Sequence, residues 1–223
     1  MDTVKCPQCG LVNFIEADQC RRCGQYLLGA AHVLPGPAPA APEENPQLTL
    51  RFIPVLGTLA LFFFIWWASL LVSSTSLTPA QQIVVDRAVA VLREQGFTRE
   101  VFVLTGVTHF RSTDNWWNKY VGHHDAYAAT NFPFEVMTLY PPFFGVTEDD
   151  VERASILLHE AQHLRGRGEV AALAEVWRVK KRLGWTEARY SDTRVWKNTR
   201  EWTHAALPAL FACGVDLESD CDE

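Results

Sequence analysis

The stretch FIPVLGTLALFFFIWWASLLV, Phe52 to Val72, runs for about 21 residues without a charged side chain. As a helix rising 1.5 Å per residue, that length matches the roughly 30 Å hydrocarbon core of a bilayer. In lipid every backbone polar group must be satisfied within the segment, so a transmembrane helix is predicted. A buried helix of a soluble core would carry more of a polar face over this length. The stretch also stands behind a cysteine-rich module, so it is expected to remain as an anchor and not to be cleaved as a signal peptide. A span of this kind divides the chain: the N-terminal and C-terminal parts must each fold in water, on opposite sides of a membrane.

The flanking charges suggest which side is which. Arg51 abuts the span on its N-terminal side, whereas the first cation beyond it is Arg87. Positive charge favours the cytoplasmic side, so the N-terminus is expected inside and the larger C-terminal part outside, in a single-pass protein of the cell membrane. The net charge is −6 and Lys and Arg form no long run, which argues against a nucleic-acid partner or a polybasic membrane tail. Hydrophobic residues make up 48% of the chain, enough for a packed core once the span is set aside.

The six cysteines separate into two groups. Cys6, Cys9, Cys20 and Cys23 read C-x2-C-x10-C-x2-C, with a glycine after each pair. Two such knuckles, each turning on a glycine so that amides point at sulfur, meet the needs of a tetrahedral structural zinc site. So short a segment cannot bury enough apolar surface to fold alone, so zinc would supply its folding free energy. The stretch resembles the zinc ribbons at the N-termini of many bacterial membrane proteins. Lys5, Arg21 and Arg22 are too few cations for a nucleic-acid surface, so a protein partner is the expected contact of the ribbon. Thiolate ligands favour a reducing compartment, whereas Cys213 and Cys221, near the C-terminus, are a candidate disulfide in an oxidising one. Both agree with the inferred sidedness.

Residues 31–47, rich in Pro and Ala, read as a semi-extended linker. The resulting organisation is a zinc ribbon at 1–26, a linker at 27–50, a span at 51–73 and one domain at 74–223. Within that domain, Thr78 as cap, Pro79 at the first helical position and Gly96 at the end bound a helix. Val101 to Leu104 and Glu135 to Tyr140 are β-rich and predict strands. Between them a long aromatic loop carries Trp116, Trp117, His123, His124 and Asp125. Adjacent loop histidines seldom converge on one ion, so His123 and His124 are expected to be solvated.

ILLHEAQHLRGRGEV, Ile156 to Val170, carries the chemistry. Thr147 is the expected cap of its helix, Glu148, Asp149 and Asp150 suit the positive end of the dipole, and Gly166 ends it. Val151, Ala154, Leu157, Leu158, Ala161 and Leu164 recur at helical spacing and form a buried face. His159 and His163 then lie one turn apart and can share an ion. This is the HExxH pattern, in which zinc acidifies water and Glu160 takes its proton as general base. A third ligand has to come from the helix beyond the RGRG break. Glu169 starts that helix at the metal-facing end and is favoured, with Glu175 as the alternative.

From about Phe134 to Gly184 the chain resembles the zincin superfamily, and in particular gluzincin-like HExxH peptidases of a largely uncharacterised bacterial type. The resemblance implies His159 and His163 as zinc ligands, Glu160 as general base, and the preceding strand as an edge that binds extended peptide. The remainder is expected to be helical with core tryptophans, and Tyr190 or His204 are candidates for stabilising an oxyanion. The fold class expected is α+β, a mostly helical domain with a small sheet. The expected function is that of a membrane-anchored zinc endopeptidase with two zinc ions, one catalytic and one structural, acting on a peptide or protein substrate. The alternative is a non-catalytic membrane receptor or assembly factor whose zincin-like domain binds peptide without cutting it.

Overall fold

A computed structural model of the chain describes residues 3–27, 46–122, 126–213 and 220–221, and for 46–53 the backbone alone. Most of the linker lies outside the described residues, as do His123, His124 and Asp125. The chain divides into two compact units, Met1–Leu56 and Gly57–Glu223.

In the first unit, β1 (Thr3–Lys5) and β2 (Val12–Phe14) pair antiparallel, with Thr3 opposite Phe14 and Lys5 opposite Val12. The same turn is then built twice. The Gly10 amide donates to the Cys6 carbonyl and the Gly24 amide to the Cys20 carbonyl, each at 2.9 Å. The Cys6 and Cys20 amides in turn donate to Leu11 and Gln25, each at 2.8 Å. Gly10 and Gly24 hold φ of 76° and 72°, a left-handed conformation that L side chains rarely adopt. Among the described residues the buried apolar cluster of this unit is only Cys6, Cys20 and Leu27. So small a cluster cannot offset the entropy of ordering the chain without a cross-link or an ion.

One helix, α1 (Pro46–Val72), contains a segment long and apolar enough to cross a membrane, Pro54–Val72. Beyond it come α2 (Pro79–Glu94), α3 (Thr98–Gly106), β3 (His109–Arg111), α4 (Trp116–Val121), β4 (Ala128–Asn131), β5 (Val136–Leu139) and α5 (Pro141–Gly145). The chain continues with α6 (Asp150–Leu164), α7 (Glu169–Leu183), α8 (Glu187–Tyr190), α9 (Arg194–Ala206) and a short 3-10 turn, Pro208–Phe211. The fold is α+β and mostly helical with small sheets. The sheet of this unit has the order β3-β5-β4, with β3 parallel and β4 antiparallel to the central β5.

Two local expectations are corrected. Val101 to Leu104 is not a strand but the middle of α3. Glu100, Val101 and Leu104 are its buried positions, a helical spacing, and the helix packs on α2 and α6, so tertiary burial outweighs the β-propensity of the valines. The cap of α6 is Asp149, not Thr147. Asp149 Oδ1 accepts from the amides of Val151 and Glu152 at 2.9 and 3.0 Å, while the Thr147 hydroxyl donates to the Phe143 carbonyl at 2.8 Å. A carboxylate two residues further on satisfies the orphan amides and suits the dipole better than a hydroxyl would.

α6 is the central element, packed on α2, α3, α7 and β4. Ala154, Leu157, Leu158 and Ala161 are fully buried. A second layer of Trp177, Trp185, Trp196 and Phe211 joins α7 to the C-terminal segment. Cys213 and Cys221 form a disulfide, and the buried Lys180 ammonium meets the Asp220 carboxylate at 2.7 Å. The cap itself anchors this C-terminal segment, because Asp149 Oδ2 also accepts from Arg189 at 2.6 Å and from the Tyr190 hydroxyl at 2.8 Å. Asp149→Ala is therefore expected to cost about 2 kcal/mol, the upper end for losing an N-cap. Thr147→Val, which removes one hydroxyl bond, should cost about 1 kcal/mol. Thermal or urea unfolding of the two variants gives the order; a larger loss at Thr147 would restore it as the cap.

Candidate metal centres and the cavity at the histidine pair

The four thiols of the first unit converge. Cys6 Sγ lies 3.6 Å from Cys23 Sγ, and Cys9 Sγ lies 3.5 Å from Cys20 Sγ, with all four sulfurs within 4.8 Å of one another. Tetrahedral zinc with bonds of about 2.3 Å sets its sulfurs roughly 3.8 Å apart, so the cluster can hold one structural zinc with little adjustment. The backbone amide of Arg22 helps pull the Cys20 thiol down to about 6, toward the thiolate that a metal requires.

In the second unit α6 and α7 form an antiparallel hairpin. Gly166, at φ 74°, turns the chain, its amide donating to the His163 carbonyl at 2.8 Å while the Arg167 amide donates to Gln162 at 3.0 Å. That tight turn returns Glu169, the first residue of α7, to the level of the histidines. His159 Nε2 and His163 Nε2 are 3.1 Å apart, and the two Glu169 oxygens lie 3.4 Å from the first and 3.1 Å from the second. Ligands bonded tetrahedrally at about 2.0–2.2 Å lie roughly 3.3–3.6 Å from one another, so this triad also has the dimensions of a metal site. The His163 ring is fixed from behind, because Nδ1 lies 2.9 Å from the Arg167 carbonyl. Donation there leaves Nε2 free to act as a ligand.

Glu175 is placed elsewhere: it meets Arg167 at 3.3 Å and is not part of the triad. Glu160 is buried beside His159, and its Oε2 accepts the Thr130 hydroxyl at 2.7 Å. That contact is not legible in the sequence, because β4 falls within what reads as an aromatic loop. The expected peptide edge is corrected too. β5, the strand predicted from Glu135 to Tyr140, is central and buried along its whole length, whereas β3 and β4 are the edges and β4 is the one that borders the histidine pair.

β4 borders a cavity of about 550 Å³ that is also lined by the three metal-capable side chains, Glu160, Phe132 and, from α9, Asn198, Thr199 and Trp202. The sequence marks the α9 residues only as helix and core, yet Trp202 is 54% exposed and sits on the cavity wall. Tyr190 and His204 do not line it. The Tyr190 hydroxyl is committed to Asp149, about 15 Å along α6 from His159 at 1.5 Å per residue. His204 packs edge-on against Phe211, ring centroids 4.9 Å apart. No protein-family model, curated protein or solved structure matches the chain, so the chemistry of the cavity has to be read from its own side chains.

Without an ion, the Glu169 carboxylate raises His163 to about 9, and contact with both imidazoles holds Glu169 well below the usual carboxylate range. His163 thus carries a proton at pH 7 that a metal must displace. The raised value stabilises the metal-free fold below about pH 6.5, and this contribution is lost as pH rises through about 9. In a chain whose four ribbon cysteines are replaced by serine, zinc uptake at this triad is expected to release about one proton at pH 7, and to tighten as pH rises toward about 9. Titration calorimetry in buffers of different ionisation enthalpy measures the release; none would contradict protonated His163. Because Glu169 meets both imidazoles and Glu175 meets neither, Glu169→Ala should abolish zinc retention at this triad while Glu175→Ala keeps it, as metal analysis after dialysis will show.

Proposed function

We propose that the chain is a membrane-anchored zinc metallopeptidase of zincin type, its catalytic ion held by His159, His163 and Glu169. The observation that carries this reading is the combination of the triad with Glu160 at the wall of one cavity beside a sheet edge. Zinc bound there supplies a Lewis acid that polarises a carbonyl and acidifies water toward a pKa of about 7. Glu160 is the general base: it takes a proton from the attacking water and returns it to the departing amine. The Thr130 hydroxyl orients that carboxylate from β4. An extended substrate chain adds to the β4 edge, which has no partner strand on its other side among the described residues. Hydrogen bonding to β4 places the scissile carbonyl between Thr130 and the histidine pair, and the apolar wall from α9 takes up a neighbouring side chain.

The ribbon with its structural zinc is cytoplasmic and binds a protein partner, while the catalytic domain is extracytoplasmic, in keeping with Arg51, the thiol cluster and the Cys213–Cys221 disulfide. Glu160→Gln tests the reading. The amide keeps the size and the Thr130 contact but cannot take a proton, so the variant should retain zinc and fold while losing peptide hydrolysis by at least ~100-fold. Hydrolysis unchanged in Glu160→Gln would remove Glu160 as the general base, and a zinc-loaded wild type that binds peptide without cutting it, a binding lost in His159→Ala, would make the ion structural and the chain a peptide receptor.

A further inference from the structure

The Gly57–Glu223 unit grips the last third of α1. Side chains from Pro54 to Ile65 are exposed, whereas Trp66 to Ser69 are partly covered and Leu70 is buried. The Trp66 ring lies 5.1 Å from Trp116 and 5.9 Å from Trp117, and stacks on Phe134 at 6.2 Å with an interplanar angle of 16°. Trp116 Nε1 donates to Ser69 Oγ at 2.9 Å, and Arg111 donates to the Leu71 carbonyl at 2.7 Å.

The length of the span turns this packing into a statement about depth. The uncharged stretch Phe52–Val72 has about 21 residues and covers about 31 Å, close to the thickness of the hydrocarbon core. Without the covered part, Phe52 to Ile65 would cover only about 21 Å, too little to cross. In a bilayer that α1 crosses, Trp66 would then lie about 9 Å below the end of the span, with the rings that touch it at the same depth. Beside them Tyr120 and Phe132 are 81% and 57% exposed. Trp and Tyr are the side chains favoured where hydrocarbon meets headgroups.

Phe132 also lines the cavity, two residues from Phe134 and two from Thr130. Even fully extended, the chain from Phe134 to Thr130 measures at most about 14 Å, and Thr130 touches Glu160. We propose that Trp116, Trp117 and Phe134 form an aromatic lip embedded in the bilayer that α1 crosses, so that the cavity opens at the membrane surface and its substrates are juxtamembrane segments of other membrane-anchored chains. The substrate class rests on the peptidase reading above. A strand added to β4 would leave the cavity past Phe132 toward the lipid, so the bond cut would lie within about four extended residues of the lip.

The test uses the full chain in phosphatidylcholine vesicles with three substrates of one polar sequence. In two of them the sequence is joined to a transmembrane helix, by a tether of about five or about forty residues, and the third is the free peptide. The short-tether substrate is expected to be cut about tenfold faster than the long-tether one, as effective concentration falls with tether length, and faster than the free peptide. In Trp116→Ser/Trp117→Ser the advantage should shrink, with bound zinc and hydrolysis of free peptide unchanged. A cavity standing off the membrane would be out of reach of the short tether and would cut the long-tether substrate preferentially. That result, or equal rates on all three, overturns the substrate class while leaving the peptidase intact. Failure of the wild type to cut any of the three removes the peptidase reading and the substrate class with it.

Discussion

The reach of Glu169 back to His159 and His163 depends on the turn between α6 and α7. Gly166 at φ 74° reverses the chain within a few residues, and a Cβ there would meet the Phe132 ring at 3.3 Å as well as strain the backbone. The same turn presents the Arg167 carbonyl to His163 Nδ1, so one loop both supplies the third metal-capable group and sets the tautomer of the second. On the other side of the turn α6 is clamped by the core, which confines Glu160 and both histidines to the one face that borders the cavity. An ion held there would have its ligands fixed before it arrived.

Much of this is legible in the sequence because it is local. The C-x2-C pairs, the four-residue histidine spacing and the uncharged stretch to Val72 each specify their geometry within a few turns of chain, and Glu169 is reached through the length of one loop. What the sequence does not carry is non-local. Thr130 meets Glu160 only because β4 pairs with β5, and four residues reading AATN offer no alternation to announce a strand. Tyr190 stays a candidate oxyanion stabiliser in the sequence until Asp149 is seen to receive its hydroxyl. Valines in α3 have strand propensity, and only packing on α6 decides for helix.

In the proposed membrane setting, a helix of about the thickness of the hydrocarbon core would leave no length for a stalk, so packing of Trp66 against Phe134 would hold the domain, and the cavity with it, against the lipid. Position, as much as pocket chemistry, would then determine which chains are met.

The central claim is that the His159, His163 and Glu169 triad holds zinc with a position left open for chemistry. Zinc X-ray absorption on full-length protein whose ribbon thiols have been replaced by serine tests it most directly. The account predicts a remaining zinc surrounded by about four nitrogen or oxygen neighbours at about 2.0–2.1 Å, with the multiple scattering of two imidazoles and one neighbour that exchanges with added anion. No bound zinc in that protein, or a spectrum lacking the imidazole signature, would contradict it.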